Sequence, residues 1–295
     1  MTDRKASLPD KLKSWPLALL PHQLLSHAVR RATRWRAPWW KNLLVRTFIR
    51  HFHVDMSEAE QPDPGAYADF NSFFTRALRP GVRSQPDDAA AIACPVDGRV
   101  SQAGAITGDR VLQAKGHDYS LTALLGGDPA RAAAFAEGQF ATLYLSPRDY
   151  HRIHMPCSGT LLSTTYVPGR LYSVAPHTTR AIPGLFARNE RLVALYDTPT
   201  GPMAMVLVGA IFVSCMETVW GGIVNPRHGM AMQTTRFDTP GSVPVQLGRG
   251  AEMGRFNMGS TVILVYGPGQ VAWAESLSPG RAVRTGQVIG HSLPG

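Results

Sequence analysis

The sequence predicts an α+β fold, with a β-rich antiparallel core that is sandwich-like or barrel-like and is preceded by N-terminal amphipathic helices. After residue 90, short β-branched and aromatic runs recur between Gly and Pro turns, which is typical of antiparallel sheets. Before residue 62, apolar residues recur at helical spacing instead. The 295 residues are 44% hydrophobic and 17% charged, so they can form a real core and are not disordered.

The first 62 residues form a basic amphipathic leader, which we call the leader throughout. Residues 1–56 contain eleven Lys or Arg against three Asp, and therefore hold +8 of the net charge of +9. Helical spacing from Gln23 to Trp35 and from Trp40 to Phe52, on either side of Pro38, predicts two helices. Aromatic and basic residues on short amphipathic helices favour the headgroup layer of an anionic membrane.

Two alternatives for the leader are packing on the rest of the protein and a nucleic-acid arm. The apolar faces are too full for an arm that binds phosphates, so no nucleic-acid partner is expected. The sequence has neither a secretory signal nor an apolar run long enough to span a bilayer. We therefore expect a peripheral membrane protein on the cytoplasmic face of the cell membrane, with leader 1–62 and β-rich domain 63–295.

The β-rich domain begins after a Pro- and Gly-containing linker at Gln61–Gly65. Asp69–Leu78 predicts a helix whose aromatic face docks the leader onto the core. Leu121–Leu125 and Ala130–Gly138 are the other predicted helices of this domain, and Pro279–Gly290 predicts a hairpin-like ending. The predicted strands are Gly98–Ala103, Arg110–Ala114, Gln139–Leu145, Gly159–Val167, Leu192–Asp197, Met203–Val213, Gly222–Val224, Thr261–Tyr266 and Val271–Trp273.

Gly259 and Ser260 stand directly before Val262–Tyr266, a run that predicts a buried strand. Gly259 has no Cβ, so its carbonyl carbon is open to attack, and a hydroxyl beside such a carbonyl is the minimum that a chain needs to cut itself. The Gly-Ser-Thr triplet alone is more typical of a turn. A lipase-type nucleophile elbow is excluded, since Val262 stands where that motif requires Gly.

His151 and His154 are the candidate bases for a serine nucleophile, which needs a proton acceptor and a carboxylate that orients it. They are equally compatible with a structural pair. A metal pair lacks further ligands at suitable spacing, and the three cysteines form no C-x-x-C, so no metal site is predicted. Asp97 and Asp149 are both candidates for the carboxylate, and spacing does not choose between them.

Six ordered blocks of the sequence resemble the phosphatidylserine decarboxylases, pyruvoyl enzymes that cut themselves to make their cofactor. The resemblance spans most of the chain. One departure is Met258, where the family's best-known form has Leu, and this exchange keeps size and polarity. The blocks are Phe70–Pro80, Pro95–Gln102, Tyr144–Pro156, Leu185–Arg191, Val208–Trp220 and Met258–Thr261.

The resemblance implies a role for each candidate residue. Ser260 is implied as the self-cleaving serine and Gly259–Ser260 as the scissile bond. Asp97 and His154 are implied as the charge-relay partners that activate Ser260, which favours Asp97 over Asp149. His151 is implied to position the substrate or handle a proton during decarboxylation.

The implied activity begins with cleavage into a large chain, 1–259, and a small chain, 260–295, whose Ser260 becomes a pyruvoyl group. That group forms a Schiff base with the amine of phosphatidylserine, an anionic membrane lipid. Carbon dioxide and phosphatidylethanolamine are released, a step of phospholipid biosynthesis. The two chains are expected to stay together, and a homodimer is compatible with the sequence. Two alternatives are a pyruvoyl decarboxylase of a soluble amino acid and a non-enzymatic module that binds membrane surfaces.

Overall fold

The structure, a computed structural model, describes residues 6–18, 20–211, 215–224, 231–257 and 260–294. The helices in these residues are α1 (Leu8–Ala18), α2 (His22–Arg34), α3 (Pro38–Phe52), α4 (Phe70–Phe74), α5 (Leu121–Leu124), α6 (Pro129–Ala133), α7 (Pro176–Ala181) and α8 (Leu185–Arg188).

The strands are β1 (Ala91–Ala93), β2 (Gly98–Ala105), β3 (Arg110–Ala114), β4 (His117–Ser120), β5 (Gln139–Leu145), β6 (Arg152–His154), β7 (Gly159–Val167), β8 (Arg191–Thr198), β9 (Gly201–Val208), β10 (Cys215–Thr218), β11 (Gly222–Ile223), β12 (Gln233–Arg236), β13 (Gln246–Leu247), β14 (Glu252–Asn257), β15 (Ser260–Tyr266), β16 (Val271–Trp273), β17 (Ala282–Val283) and β18 (Val288–Ser292).

A nine-stranded sheet forms the centre of the molecule, in the order β12-β7-β8-β9-β15-β5-β2-β17, with β13 also paired to β7. Smaller sheets have the orders β11-β10-β14-β6, β1-β18-β16 and β3-β4. The named strands pair antiparallel throughout, so the predicted α+β antiparallel fold is confirmed. Within the described residues the large sheet stays open between its edges β12 and β17, rather than closing into a barrel.

Strand β15 lies inside the large sheet, between β9 and β5, and all seven of its residues are buried. Val262 and Leu264 pack into a core shared with the smaller sheets, whereas Ile263 and Val265 pack under the helices on the other face. Successive strand residues point to opposite faces, so a strand covered on both sides reads as a continuous apolar run. This is why the sequence signal at 262–266 is so uniform.

All three leader helices pack on the rest of the protein, and the contacts of α3 and α1 are the most informative. In α3, the Phe48 ring lies 5.1 Å from that of Phe70 and 6.0 Å from that of Phe73, so the predicted aromatic docking face is confirmed. In α1, Asp10 forms a buried ion pair with Arg180 of α7. No helix in the described part of the chain is both long enough and apolar enough to cross a bilayer.

Several predicted elements differ from the structure. The helix predicted at Asp69–Leu78 ends at Phe74, and the one predicted at Ala130–Gly138 ends at Ala133. Gly138 is pressed against the core, since a Cβ there would lie 2.0 Å from the Tyr266 carbonyl oxygen. The predicted hairpin at the end of the chain is wrong: β17 pairs with β2, and β18 pairs with β1 and β16. The sequence analysis missed the helices α1, α7 and α8.

Asp10→Ala is expected to release α1 from α7. Arg180 donates to the two Asp10 oxygens over 3.1 and 2.7 Å, and removing one partner leaves the other charge buried, which costs about 3–5 kcal/mol. Hydrogen bonds from Arg180 hold the pKa of Asp10 well below its usual range. The stabilisation is therefore present above the unfolded pKa of about 3.9 and lost as the pH falls towards the folded value.

The measurement is the rate of tryptic cleavage in α1, together with the melting temperature. Asp118→Ala is the control, because its ion pair with Arg110 is exposed. Equal effects of the two substitutions would contradict a special role for the buried pair.

Candidate active site

Ser260 is the first residue of β15, and its hydroxyl is fully buried without a hydrogen-bond partner among the described residues. A buried polar group left without a hydrogen bond costs about 1–3 kcal/mol. Other buried hydroxyls of the described residues, those of Thr261 and Thr142 among them, also lack a partner, so what distinguishes Ser260 is its position directly after Gly259. The predicted cleavage partner Gly259 lies outside the described residues, as does Met258. The structure therefore describes the nucleophile side of the predicted scissile bond.

The register of β15 sets the direction of the Ser260 side chain. Ser260 pairs with Leu145, the last residue of β5, and residues directly opposite each other share one face of a sheet. Leu145 packs in the same core as Ile153 of β6 and Phe256 of β14. Ser260 therefore faces the four-stranded sheet that contains β6 and β14. His154 is the last residue of β6, and His151 directly precedes that strand.

His151 lies just before β6, and its carbonyl accepts a hydrogen bond from the Phe256 backbone N–H over 3.1 Å. Its fully buried ring stacks on Phe74 with the centroids 4.0 Å apart, and neither ring nitrogen has a hydrogen-bond partner in the described residues. Burial, and next the positive charge of Arg76, lower the pKa of His151 to about 3. The imidazole is therefore neutral at physiological pH.

His154 ends β6 and is tied to the segment that carries Asp97, because its backbone N–H donates to the Pro95 carbonyl over 2.9 Å. Its Nδ1 lies 2.7 Å from the Gly250 carbonyl oxygen, which can only accept, so Nδ1 carries the proton. Nε2 then holds the lone pair, 2.9 Å from the Tyr150 hydroxyl. Burial lowers the pKa of His154 and favours this neutral form, which is the form that a general base needs.

Tyr150 is a site residue that the sequence analysis missed. Its ring stacks on that of His154 with centroids 5.6 Å apart, and its hydroxyl donates to Nε2. Burial raises the pKa of Tyr150, so the phenol keeps its proton. The available signal was position alone: Tyr150 lies within the Tyr144–Pro156 block, four residues before His154.

The two candidate carboxylates have different partners. Asp97 accepts hydrogen bonds from the Arg83 guanidinium, at 3.0 Å from Nε to Oδ1, and from the Thr285 backbone N–H at 2.8 Å. Asp149 accepts from the backbone N–H and hydroxyl of Ser146, both at 2.7 Å, and so closes a local turn. Neither carboxylate is hydrogen-bonded to an imidazole among the described residues.

Arg76 brings a buried positive charge to the site, close to the carboxylates of Asp97, Asp149 and Asp55. Its guanidinium is buried, and Nη2 donates to the Arg148 carbonyl over 3.1 Å. Nε and Nη1 have no hydrogen-bond partner in the described residues, and burial lowers the pKa of Arg76. Together with Asp97 and Tyr150 it lines a cavity of about 290 Å³.

The structure gathers the predicted residues around the carboxyl end of β5 but does not join them by hydrogen bonds. Ser260 pairs with Leu145 on one side of β5, and β2, which directly follows Asp97, pairs on the other side. His151 and His154 are three positions apart, which is a distance of about 10 Å along an extended chain. The described parts of the chain contain no cluster of three or more His, Cys, Asp or Glu side chains arranged to bind a metal.

Comparison with known proteins assigns the chain to a family. The sequence profile described as phosphatidylserine decarboxylase matches residues 70–291, and a second profile, described as PSD, matches residues 12–53. The phosphatidylserine decarboxylase proenzyme of Bordetella bronchiseptica is 54% identical over 271 residues, covering 92% of this chain and 91% of that protein.

Two further relatives carry the same name. The proenzyme of Ectopseudomonas mendocina is 53% identical over 274 residues, covering 93% of this chain and 96% of its own length. That of Pseudomonas putida strain GB-1 is 54% identical over 275 residues, with the same two coverages. Similarity at this level over nearly the whole length of both chains shows that the chain belongs to the phosphatidylserine decarboxylase family.

Proposed function

We propose that the protein is a self-processing, pyruvoyl-dependent decarboxylase that converts phosphatidylserine to phosphatidylethanolamine and carbon dioxide. Its similarity to proteins named phosphatidylserine decarboxylase proenzymes supports this function. The observation that carries the proposal is the buried Ser260 hydroxyl, which has no hydrogen-bond partner among the described residues and begins a central strand.

Self-cleavage begins when Ser260 Oγ attacks the Gly259 carbonyl carbon and loses its proton to a base. We assign that base to His154, because Gly250 holds its Nδ1 proton and leaves the Nε2 lone pair facing an exchangeable hydroxyl, that of Tyr150. To act as the base, His154 Nε2 gives up its hydrogen bond to the Tyr150 hydroxyl and accepts the proton of the Ser260 hydroxyl instead. Glu252 and, less strongly, Asp97 favour the protonated form of His154 electrostatically, and we assign the role of the relay carboxylate to Asp97.

The remaining steps of cleavage need no external reagent other than water. The attack moves the Gly259 acyl group from the Ser260 nitrogen to its oxygen, which gives an ester. Loss of the Ser260 α-proton expels the Gly259 carboxylate and leaves dehydroalanine at position 260. Water then releases ammonia and leaves a pyruvoyl group as the first residue of the small chain, 260–295.

The pyruvoyl group supplies a ketone that bonds to a primary amine and withdraws electrons from the bond to the departing carboxylate. Two features support position 260 as its site: the buried hydroxyl that lacks a partner, and the pairing of the whole of β15 with its neighbours. We assign His151 to positioning the substrate and moving a proton, since its ring is neutral and is held in place by stacking on Phe74.

We further propose that the leader 1–62 lies on an anionic membrane, on its cytoplasmic face, and presents the catalytic domain 63–295 to its lipid substrate. Large apolar side chains remain exposed on the three leader helices and between them, which is typical of membrane or protein contact surfaces. These residues are Leu8, Leu12, Trp15, Leu20, Leu24, Trp35, Trp39 and Leu43.

Ser260→Ala is expected to abolish cleavage, since alanine has no hydroxyl to attack Gly259. Denaturing gels and intact-mass analysis should give one chain for this variant. The unaltered protein should give two, with a keto group in place of the amine at the start of 260–295. Ser276→Ala, an exposed serine of the same small chain, is the control and should cleave normally. Intact, fully active unaltered protein would contradict the proposal.

His154→Gln is expected to accumulate uncut precursor, whereas His151→Gln should cleave at the unaltered rate. Burial places the pKa of His154 below its usual 6.5, so the rate of cleavage should be flat near neutrality and fall as the pH drops below that pKa. Time courses of precursor made by cell-free synthesis, run at several pH values, measure both effects. Normal cleavage of the His154 variant would remove it from the base role.

Replacing both Trp15 and Trp39 by Glu is expected to reduce binding to phosphatidylserine-containing vesicles by about tenfold or more, because two exposed indoles lose their apolar contact with the bilayer. Vesicle flotation measures the effect. Val243→Glu is the control, as Val243 is 83% exposed but lies outside the leader. Unchanged flotation would instead favour a decarboxylase of a soluble amino acid.

A further inference from the structure

The predicted scissile bond lies between two strands that belong to different sheets. β14 ends at Asn257 in the four-stranded sheet, and β15 begins at Ser260 in the nine-stranded sheet. Residues 258 and 259 alone join the two strands, so the Cα atoms of Asn257 and Ser260 lie at most about 11 Å apart. The end of β14 therefore restricts the positions that the Gly259 carbonyl can take relative to the Ser260 hydroxyl.

The Asn257 side chain is fully buried and forms hydrogen bonds with two other elements. Its Oδ1 accepts from Nδ2 of Asn71 in α4 over 2.8 Å, and its own Nδ2 donates to Sγ of Cys215 over 3.0 Å. Cys215 is also buried and stands directly opposite Asn257 in β10. Nη2 of Arg34 in α2 lies 3.8 Å from the same sulfur, so this network of hydrogen bonds reaches the leader.

The elements α4 and β14 also hold His151. The Phe74 ring of α4 stacks on the His151 imidazole, and the Phe256 backbone N–H of β14 donates to the His151 carbonyl. α4 is itself fixed at its first turn, where the Asp69 carboxylate accepts from the Ser72 backbone N–H over 2.8 Å. The bond between α4 and Asn257 therefore joins two elements that already set the place of a candidate histidine.

The first step of self-cleavage depends on the distance and angle between two groups, the Ser260 hydroxyl and the Gly259 carbonyl carbon. A misplacement of about 1 Å can slow such a reaction about a hundredfold. Hydrogen bonds are directional, so an amide bonded at both its oxygen and its nitrogen resists rotation and displacement more than an apolar side chain of the same size. Asn257 is two residues from the carbonyl and is held in this way.

We propose that Asn257 is a positioning residue for self-cleavage, which with Asn71 and Cys215 holds the end of β14 so that the Ser260 hydroxyl can reach the Gly259 carbonyl. The inference rests on the proposed function and adds a residue to its first step. Asn257 takes no part in proton transfer, since its amide does not titrate. Its loss should therefore lower the rate of cleavage without moving the pH below which that rate falls.

The test is the time course of cleavage of the full-length precursor, made by cell-free synthesis and followed at several pH values. Asn257→Leu keeps the size of the side chain but removes its hydrogen bonds, and it is expected to slow cleavage about tenfold or more. Asn71→Leu, at a half-buried position, should also slow cleavage. The double variant should be no slower than Asn257→Leu alone, because the two residues share one bond.

A conservative variant and a control separate positioning from general destabilisation. In Asn71→Asp the carboxylate can accept from the Asn257 amide once that amide has turned over, so cleavage should stay within about twofold of the unaltered rate. Thr165→Val removes another buried hydrogen bond, that of 2.9 Å between the Thr165 and Thr234 hydroxyls in the nine-stranded sheet. It is expected to lower the melting temperature but to leave the rate of cleavage unchanged.

Unaltered cleavage of Asn257→Leu would overturn the inference, as would a shift in the pH dependence of its rate. Equal slowing by Asn71→Asp and Asn71→Leu, or by Thr165→Val, would also overturn it. Should Asn257→Leu fail to fold, the two Asn71 variants decide the question by themselves. An unaltered precursor that does not cleave would contradict the proposed function and this inference with it, whereas normal cleavage in every variant would contradict the inference alone.

Discussion

The pairing of β15 with β5 and β9 holds Ser260 in a place that water does not reach, with its hydroxyl unbonded among the described residues. The hydroxyl of a serine in an exposed turn would form hydrogen bonds with solvent, and its position would not be fixed relative to neighbouring side chains. At the start of a strand buried on both faces, the hydroxyl instead has a fixed position relative to the smaller sheet. That sheet also sets the places of His151 and His154.

Burial has a second effect, which is to keep both histidines neutral. The pKa values of His151 and His154 are both lowered, but their hydrogen bonding differs. His154 has a defined tautomer set by Gly250, whereas the ring of His151 is held by stacking on Phe74 and keeps both nitrogens without partners in the described residues. Similar burial thus gives one imidazole with a defined tautomer and one that is fixed by stacking, which is consistent with the separate roles proposed for them.

The sequence predicted the elements that have a strong local pattern. The apolar run at 262–266 and the helical spacing of the second and third helices are of this kind. It missed α1, α7 and α8, each of which contains a proline, Pro16 in α1 and Pro176 in α7, or is only four residues long, as α8 is. The hairpin prediction for the end of the chain failed because turn residues indicate a reversal but do not identify the neighbour with which each strand pairs.

The candidate site was predictable in its residue types but not in its contacts. The ordered blocks pointed to Asp97, His151, His154 and Ser260, and the structure brings their segments to one end of β5. The partners of these side chains, Arg83, Tyr150 and Gly250, are set by tertiary packing. No spacing in the sequence encodes which hydroxyl faces an imidazole nitrogen.

The placement of β15, β17 and β18 in two different sheets has a consequence for the lifetime of the proposed mature enzyme. All three strands belong to the segment after the cut, so the small chain is threaded through both layers of the large one. Once denatured, the two polypeptides would have to find each other by diffusion before either could complete its sheets. The uncut precursor would then fold as one chain, whereas the two separate chains would refold poorly. The lifetime of the enzyme in the cell would therefore be governed by its rate of unfolding.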